Sequence, residues 1–294
     1  MKISFYIAVL VFCLIIPMAV LSQDNTESFK ETYRKAEAGD AEAQIDLGLM
    51  YASGDGIPQD DKEAFKWFSK AAEQGHANAQ CALCTMYDNG IGIPRDGKEA
   101  FRWCSKAAEQ EHSLAKVLLG EMYLKGQDVP QDYKKAFKLT SNAAEQGLSY
   151  AQRQLGWMYI SGRGVPQDNK EALRWFSKAA EQGDAYSQGR LGMLYYLGDG
   201  VPQDYKKAFR WFSKAAEQGE EAGQFGLGLM YNGGAGVPQD YVQAYKWFNL
   251  LAARGNENAK KYRDTLSNKM SPAQVAEGQR LSREFWEKNS NNNQ

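Results

Sequence analysis

The sequence predicts an all-α fold, a solenoid built from helix-turn-helix repeats of 36 residues. Six of the eight prolines recur at this spacing, as do one column of leucines and one of tyrosines. The prolines are Pro58, Pro94, Pro130, Pro166, Pro202 and Pro238. The leucines are Leu47, Leu83, Leu119, Leu155, Leu191 and Leu227, and the tyrosines are Tyr51, Tyr87, Tyr123, Tyr159, Tyr195 and Tyr231. A single globular core has no reason to repeat residues at a fixed period, so the chain is an array.

The N-terminus carries a separate segment. Lys2 precedes an apolar run from Ile3 to Leu21, and Pro17 interrupts this run shortly before the polar residue Ser22. This order is typical of a secretory signal peptide, here residues 1–22, with a mature chain that begins at Gln23. The run is also long enough to span a bilayer, so an uncleaved anchor formed by residues 3–21 is the alternative.

The first helix of each repeat, helix A, has one apolar face. In the first copy this face consists of Ala43, Leu47, Met50 and Tyr51, at positions i, i+4, i+7 and i+8. Gly54 follows and is predicted to end the helix, because glycine adopts the left-handed conformation of a C-cap without strain.

The second helix, helix B, begins after the repeated proline. Pro58 prevents helix A from resuming, and Asp60 is the predicted N-cap, with Glu63 completing a capping box. Gly75 is predicted to end helix B. The residues expected in the core are Ala64, Trp67, Phe68, Ala71 and Ala72.

The repeats of this chain share the consensus A-x-A-Q-x-x-L-G-x-M-Y-x-x-G-x-G-V-P-Q-D-Y-x-x-A-x-x-W-F-x-K-A-A-E-Q-G. This consensus resembles the repeats of the Sel-one-like repeat family, which are relatives of the tetratricopeptide repeat. The resemblance covers residues 36–255 and implies a right-handed α/α superhelix with a concave side lined by helix A. It also implies the role of an adaptor in protein complexes, in envelope signalling or at a host surface.

The repeats divide the chain into further segments. Residues 23–42 are expected to form an N-terminal capping helix, residues 43–255 the six repeats, and residues 256–288 C-terminal capping helices that cover the open apolar end. The polar tail, residues 289–294, is predicted to be disordered.

Columns that vary between copies are free to serve a function, and in helix A they lie on one helical face. Six bulky residues of this face are the candidate partner-binding residues, and we call them the helix-A surface. They are Trp157, Ile160, Met193, Tyr196, Phe225 and Leu229. Aromatic anchors supply most interface energy, so this face suits a protein or peptide partner. The alternative is that these side chains only pack between neighbouring repeats.

The second repeat holds three cysteines. Cys84 stands in the column of Gly48, and Cys104 stands in the column of Phe68, so both belong to the contact between helices A and B. A Cys84–Cys104 disulfide is therefore the candidate pairing in an oxidising compartment. Cys81 lies on the variable face and is expected to remain unpaired or to pair with another molecule.

Composition argues against several classes of function. With 35 Lys and Arg against 36 Asp and Glu, the chain lacks the basic excess of a nucleic-acid-binding protein. The basic stripe on helix B alternates with acidic residues and is interpreted as a solvated outer face. The two histidines, His76 and His112, lack the spacing of a zinc site, so no metal or other cofactor is expected.

No catalytic residues are predicted. Ser113 and Lys116 form an S-x-x-K sequence, but the chain contains no K-T-G or S-D-N element to accompany it. We therefore interpret the protein as a non-enzymatic secreted or periplasmic scaffold. The alternatives are an envelope hydrolase of the β-lactamase-like type suggested for cysteine-rich relatives, and a membrane-anchored structural spacer.

Overall fold

The computed structural model describes residues 25–291 as fifteen α-helices without a β-strand. The first eight are α1 (Asn25–Glu37), α2 (Ala41–Ser53), α3 (Asp61–Glu73), α4 (Ala77–Asn89), α5 (Gly97–Glu109), α6 (Ser113–Lys125), α7 (Tyr133–Glu145) and α8 (Ser149–Ser161). The others are α9 (Asn169–Glu181), α10 (Ala185–Leu197), α11 (Tyr205–Glu217), α12 (Glu221–Gly233), α13 (Tyr241–Ala253), α14 (Glu257–Ser267) and α15 (Pro272–Asn291). Helix pairs thus recur about every 36 residues, which confirms the predicted all-α solenoid class.

The chain divides into two compact units after Ala151, within α8. In the first unit, α1 packs against α2, and its Ala36 is buried with Leu47 and Trp67. In the second unit, α14 and α15 both pack against α13, where Leu266 and Met270 are buried. Both ends of the repeat array are therefore covered by the flanking helices.

Two sequence predictions concern the ends of the chain. The predicted signal peptide, residues 1–22, lies outside the described residues. Within residues 25–291, no helix has both the length and the apolar character needed to cross a bilayer. Helix α15 extends to Asn291 and thus includes the first three residues of the tail that is predicted to be disordered, while residues 292–294 lie outside the described residues.

The predicted helix caps recur through the repeats, with one difference. Gly54 adopts φ 73°, and the Asp60 carboxylate accepts hydrogen bonds from the backbone N–H groups of Lys62 and Glu63. The second half of the capping box is wrong, because the Asp60 N–H already donates to the carbonyl of Tyr51 at 2.9 Å. The Glu63 carboxylate instead lies 2.5 Å from Nζ of Lys66.

Helices A and B of a repeat meet where a glycine faces a phenylalanine ring. A Cβ atom at Gly48 would lie 2.8 Å from the ring of Phe68, which is fully buried. The same approach is 2.9 Å at Gly156 and Phe176, 2.6 Å at Gly192 and Phe212, and 2.7 Å at Gly228 and Phe248. These positions accept only glycine because the ring fills the space that any side chain would need.

Most repeats also contain a buried amide pair, which the repeat pattern alone does not predict. Nε2 of Gln44 donates to the carbonyl of Ala36 at 3.1 Å, and Oε1 of Gln44 accepts from Nε2 of Gln74 at 2.8 Å. Equivalent bonds of 2.8 Å join Gln110 to Gln80, Gln182 to Gln152 and Gln218 to Gln188. Gln80 and Gln188 also donate to the preceding helix B, at the carbonyls of Ala72 and Ala180, so these pairs tie helix A both to the preceding helix B and to its own.

The third repeat replaces this amide pair with a charged cluster. Lys116 stands in the glutamine column, and its buried Nζ donates to Oδ1 of Asn142 at 2.5 Å and to the carboxylate of Glu111. Glu111 adopts φ 65°, the conformation that glycine has at this turn elsewhere. The His112 N–H still donates to the Ala107 carbonyl at 3.2 Å. The third repeat therefore differs from the others here in its side chains, while the turn keeps its backbone hydrogen bond.

The sixth repeat breaks the amide pair without replacing it. Arg254 stands where the other repeats have glutamine, and its Nη1 donates to the carbonyl of Gly219 at 3.1 Å. Gln224, which is 3% exposed, is left with an Oε1 atom that no described residue contacts as a donor. An unsatisfied buried polar atom costs about 1–3 kcal/mol, so this substitution destabilises the repeat.

The glycine–phenylalanine contact can be tested with a matched pair of variants. Gly192→Ala should lower the free energy of unfolding by about 1–3 kcal/mol, because the new methyl group overpacks against Phe212. Gly233→Ala is the control, since a Cβ there meets nothing within 4 Å. Because Gly233 is the last residue of α12, this change should leave the free energy of unfolding within about 0.5 kcal/mol of wild type. Urea denaturation of both variants measures the difference, and equal effects would contradict the proposed contact.

Candidate partner-binding surface

All six residues of the helix-A surface lie in the second unit and are half-buried. Trp157 and Ile160 on α8 pack against a buried cluster that contains Phe176. The remaining four residues likewise pack on buried clusters: Met193 and Tyr196 of α10 on the cluster of Phe212, and Phe225 and Leu229 of α12 on that of Phe248. One side of each residue therefore packs in the array, while the other remains accessible.

Further apolar residues extend this surface. The ring of Tyr205 lies 5.5 Å from that of Tyr196, and the ring of Tyr262 lies 5.6 Å from that of Phe225. Tyr205, Tyr262 and the neighbouring Leu197 are exposed, Leu197 by 60%. Sequence reasoning missed Leu197 despite a signal, because its column elsewhere holds Ser53, Asn89, Lys125 and Ser161.

The centre of this surface carries little charge. Burial raises the pKa of Tyr196, and the neighbouring hydroxyl groups of Tyr205 and Tyr262 raise it further. No charged side chain contributes to this shift. The immediate surroundings of Tyr196 are therefore suited to an apolar or uncharged segment of a partner.

Charged groups lie on α8, on α10 and in the loop after α8. The guanidinium of Arg163 lies 4.5 Å from the ring centre of Trp157, and Arg153 forms a 3.0 Å ion pair with Asp184. Nε of Arg190 donates to the hydroxyl of Tyr186 at 3.1 Å. Polar groups thus accompany the aromatic centre, as in many protein interfaces.

In the first unit, five of the nine residues in the same variable columns belong to the core, while Leu49, Asp88, Glu121 and Leu124 are half-buried. Ile45, Ala52, Cys81, Thr85 and Val117 are all at most 5% exposed. The expectation that Cys81 pairs with another molecule is wrong, because its thiol is fully buried and no second protein can reach it. Variation between repeats therefore does not by itself indicate an accessible residue.

The basic stripe of helix B is engaged with its own helix. Nζ of Lys70 lies 3.8 Å from the ring centre of Trp67, and Arg102 and Arg174 form ion pairs one turn away with Glu99 and Glu171. Lys106, Lys178 and Lys214 cover Trp103, Trp175 and Trp211 in the same way at 4.2–4.8 Å. These contacts explain many of the basic residues of the stripe. They form a solvated outer face whose side chains cover the tryptophan rings of helix B.

The sequence model of the Sel1 repeat family matches six segments of the chain, residues 41–76, 77–112, 113–148, 149–184, 185–220 and 222–256. The chain belongs to the Sel1 repeat family. The helix pairs described above are thus Sel1 repeats, and the resemblance seen in the sequence is confirmed.

Solved structures of Sel1 repeat proteins are similar to this chain. A Sel1 repeat protein from Oxalobacter formigenes is 34% identical, with a TM-score of 0.69 over 78% of this chain and 100% of that one. The protective antigen c5321 of uropathogenic Escherichia coli is 27% identical, with a TM-score of 0.33 over 97% of this chain and 85% of that one. Helicobacter pylori cysteine rich protein B is 27% identical, with a TM-score of 0.37 over 45% and 96%. Of these three, the Oxalobacter protein supports the fold, and no curated protein matches the chain.

The second Sel1 repeat places a disulfide where other repeats have glycine and phenylalanine. Sγ of Cys84 and Sγ of Cys104 lie 2.06 Å apart, with 5.1 Å between the Cα atoms. Both residues are buried in the contact between α4 and α5. We propose that this bond forms in the mature protein in place of the glycine–phenylalanine contact.

Ser113 and Lys116 of the S-x-x-K sequence form hydrogen bonds with different residues. The Ser113 hydroxyl donates to Oε1 of Gln146, whereas Nζ of Lys116 is buried between Glu111 and Asn142. Lys116 thus occupies a structural position of the Sel1 repeat, the column of the buried glutamines.

The disulfide can be tested against the residues it replaces. Cys84→Ser combined with Cys104→Ser should lower the free energy of unfolding by about 2–4 kcal/mol, because a covalent restraint on the unfolded chain is lost. Cys84→Gly combined with Cys104→Phe should recover most of this stability, since it restores the contact of the other repeats. Urea denaturation with and without a thiol reductant is the measurement. An unchanged wild-type midpoint under reductant would contradict the bond.

Proposed function

We propose that this protein is a scaffold that binds a protein partner through the helix-A surface of its second unit. Sel1 repeat proteins generally act as protein-interaction scaffolds. The observation that carries the proposal is the group of aromatic rings around Tyr196, because its members Tyr205 and Tyr262 are exposed to solvent. Large exposed aromatic groups are uncommon on proteins without a partner.

The partner segment that fits is apolar and presents side chains at regular spacing. Trp157, Tyr196 and Phe225 lie on three successive A helices, so an extended or helical peptide would meet one aromatic anchor in each repeat. Because each ring is already packed on one side, little conformational entropy is lost when a partner covers the other.

We also propose that the protein is exported, with residues 1–22 removed as a signal peptide. The succession of a charge, an apolar run and small polar residues at the N-terminus supports this. Intact-mass measurement of the mature protein should show a loss of about 2 kDa and an N-terminus at Gln23. Retention of the full mass in the membrane fraction would favour the anchored spacer instead.

A hydrolase role is the alternative from another class. The bonding of Lys116 to Glu111 and Asn142 speaks against the S-x-x-K sequence as a catalytic pair. Turnover of nitrocefin or peptidoglycan by the purified mature protein would overturn the scaffold proposal.

The helix-A surface makes a specific prediction. Trp157→Ala combined with Tyr196→Ala and Phe225→Ala should abolish capture of the partner, because anchors of this kind contribute about 2 kcal/mol or more each. The variant should remain folded, whereas Leu155→Ala in the invariant core should cost several kcal/mol, about 2–5. Cross-linked affinity capture beside wild type, with circular dichroism melts of all three proteins, measures both effects.

Two outcomes of this experiment decide whether these three aromatic residues bind a partner or only pack within the array. A protein captured by wild type and lost from the folded triple variant would support the interface. A triple variant that melts as low as Leu155→Ala would show that these aromatic side chains are core residues.

A further inference from the structure

A second candidate site lies between α13 and α15, away from the helix-A surface. It is a cavity of about 300 Å³ whose apolar wall includes Leu250, Ala253 and Trp286. Trp286 is 57% exposed, which is unusual for tryptophan. The rest of the lining is polar or charged and consists of Asn249, Ser282, Arg254, Arg283 and Glu287.

Arg254 departs from the repeat pattern, and this departure costs the neighbouring buried Gln224 a hydrogen bond. Its column holds Gln74, Gln110, Gln146, Gln182 and Gln218 in the other repeats. Arg254 keeps the bond to the preceding turn that Gln74 and Gln110 make, but it leaves Oε1 of Gln224 without a donor. A residue that breaks a local rule without structural compensation is a candidate for function.

The charges around the cavity favour an anion. Among residues 25–291, neither Arg254 nor Arg283 forms an ion pair with a carboxylate, and Glu287 is the only acidic side chain in the lining. The two guanidinium groups therefore exceed the carboxylate by one charge. Guanidinium groups suit carboxylates because their paired N–H donors match the two oxygens.

We propose that this cavity binds a segment of a partner protein in which an apolar side chain stands next to an aspartate or glutamate. The apolar side chain would lie against Trp286 and Leu250, and the carboxylate would bind Arg254 and Arg283. Tryptophan and arginine together are the composition of interface hot spots. A cavity of this size is at the lower limit for small-molecule sites, so an anchoring side chain fits it better than a whole ligand.

The probe for this site is a fluorescein-labelled hexapeptide, with both ends blocked, that contains phenylalanine followed by glutamate among glycines. Anisotropy titration against the full mature chain should give saturable binding. Replacing the glutamate by glutamine, or the phenylalanine by serine, should each weaken binding at least tenfold. Equal binding of the glutamine peptide, or no binding of the first peptide, would overturn the proposal.

Variants of the protein separate binding from folding. Arg254→Gln should weaken binding at least fivefold and yet raise the melting temperature by about 2 °C, because Gln224 regains its donor. Arg283→Gln should weaken binding without a change in melting temperature. Gln218→Arg in the preceding repeat is the matched control, and it should lower the melting temperature and leave binding intact. Unchanged binding by Arg254→Gln would overturn the proposal.

Two further measurements test whether this site binds independently of the helix-A surface and whether its ligand is a peptide rather than a free amphiphile. The Trp157→Ala, Tyr196→Ala, Phe225→Ala variant should bind the hexapeptide as wild type does, so failure of the helix-A surface would leave this site standing. Decanoate, which carries an apolar chain and a carboxylate, should compete with the hexapeptide. Binding of decanoate without any binding of the peptide would assign the cavity to a free amphiphile and overturn the proposal.

Discussion

The close approach of helix A to helix B within each repeat is the constraint on which the rest of the structure depends. At Gly48, Gly156, Gly192 and Gly228 the facing phenylalanine ring leaves no room even for a methyl group. This contact holds the two helices of a repeat together, and each repeat presents the surface on which the next repeat stacks. The recurring glycines inside helices, which cost helix propensity, are explained by this packing.

Substitutions within the array can be explained when the residues that contact each other are considered together. In the second repeat, Cys84 and Cys104 together replace glycine and phenylalanine, and the disulfide that we propose joins them across the same contact. In the third, Lys116, Glu111 and Asn142 form one cluster in place of an amide pair. Arg254 differs from these cases, because its change leaves Gln224 unsatisfied and no neighbouring described residue compensates. Compensated changes preserve the fold, whereas an uncompensated change indicates another role.

Both candidate interaction sites belong to the second unit. The helix-A surface is aromatic and nearly uncharged at its centre, while the cavity between α13 and α15 combines Trp286 with two arginines. The two sites are suited to different features of a partner, one to apolar side chains in series and the other to an apolar side chain beside a carboxylate. A scaffold that uses both could hold two segments of one partner, with a gain in affinity from their linkage.

The fold class, the repeat period and the caps at Gly54 and Asp60 follow from the chain alone, because they depend on local conformation and on contacts between neighbouring helices that every copy repeats. The repeat columns also place Cys84 and Cys104 in one contact. The accessibility of the variable residues follows only from tertiary packing, since Cys81 and Trp157 share a helical face but differ in the side chains stacked upon them. The glutamine pairs, the bond from Asp60 to Tyr51 and the cavity beside Trp286 likewise depend on how separate helices meet, and spacing along one chain does not contain that information.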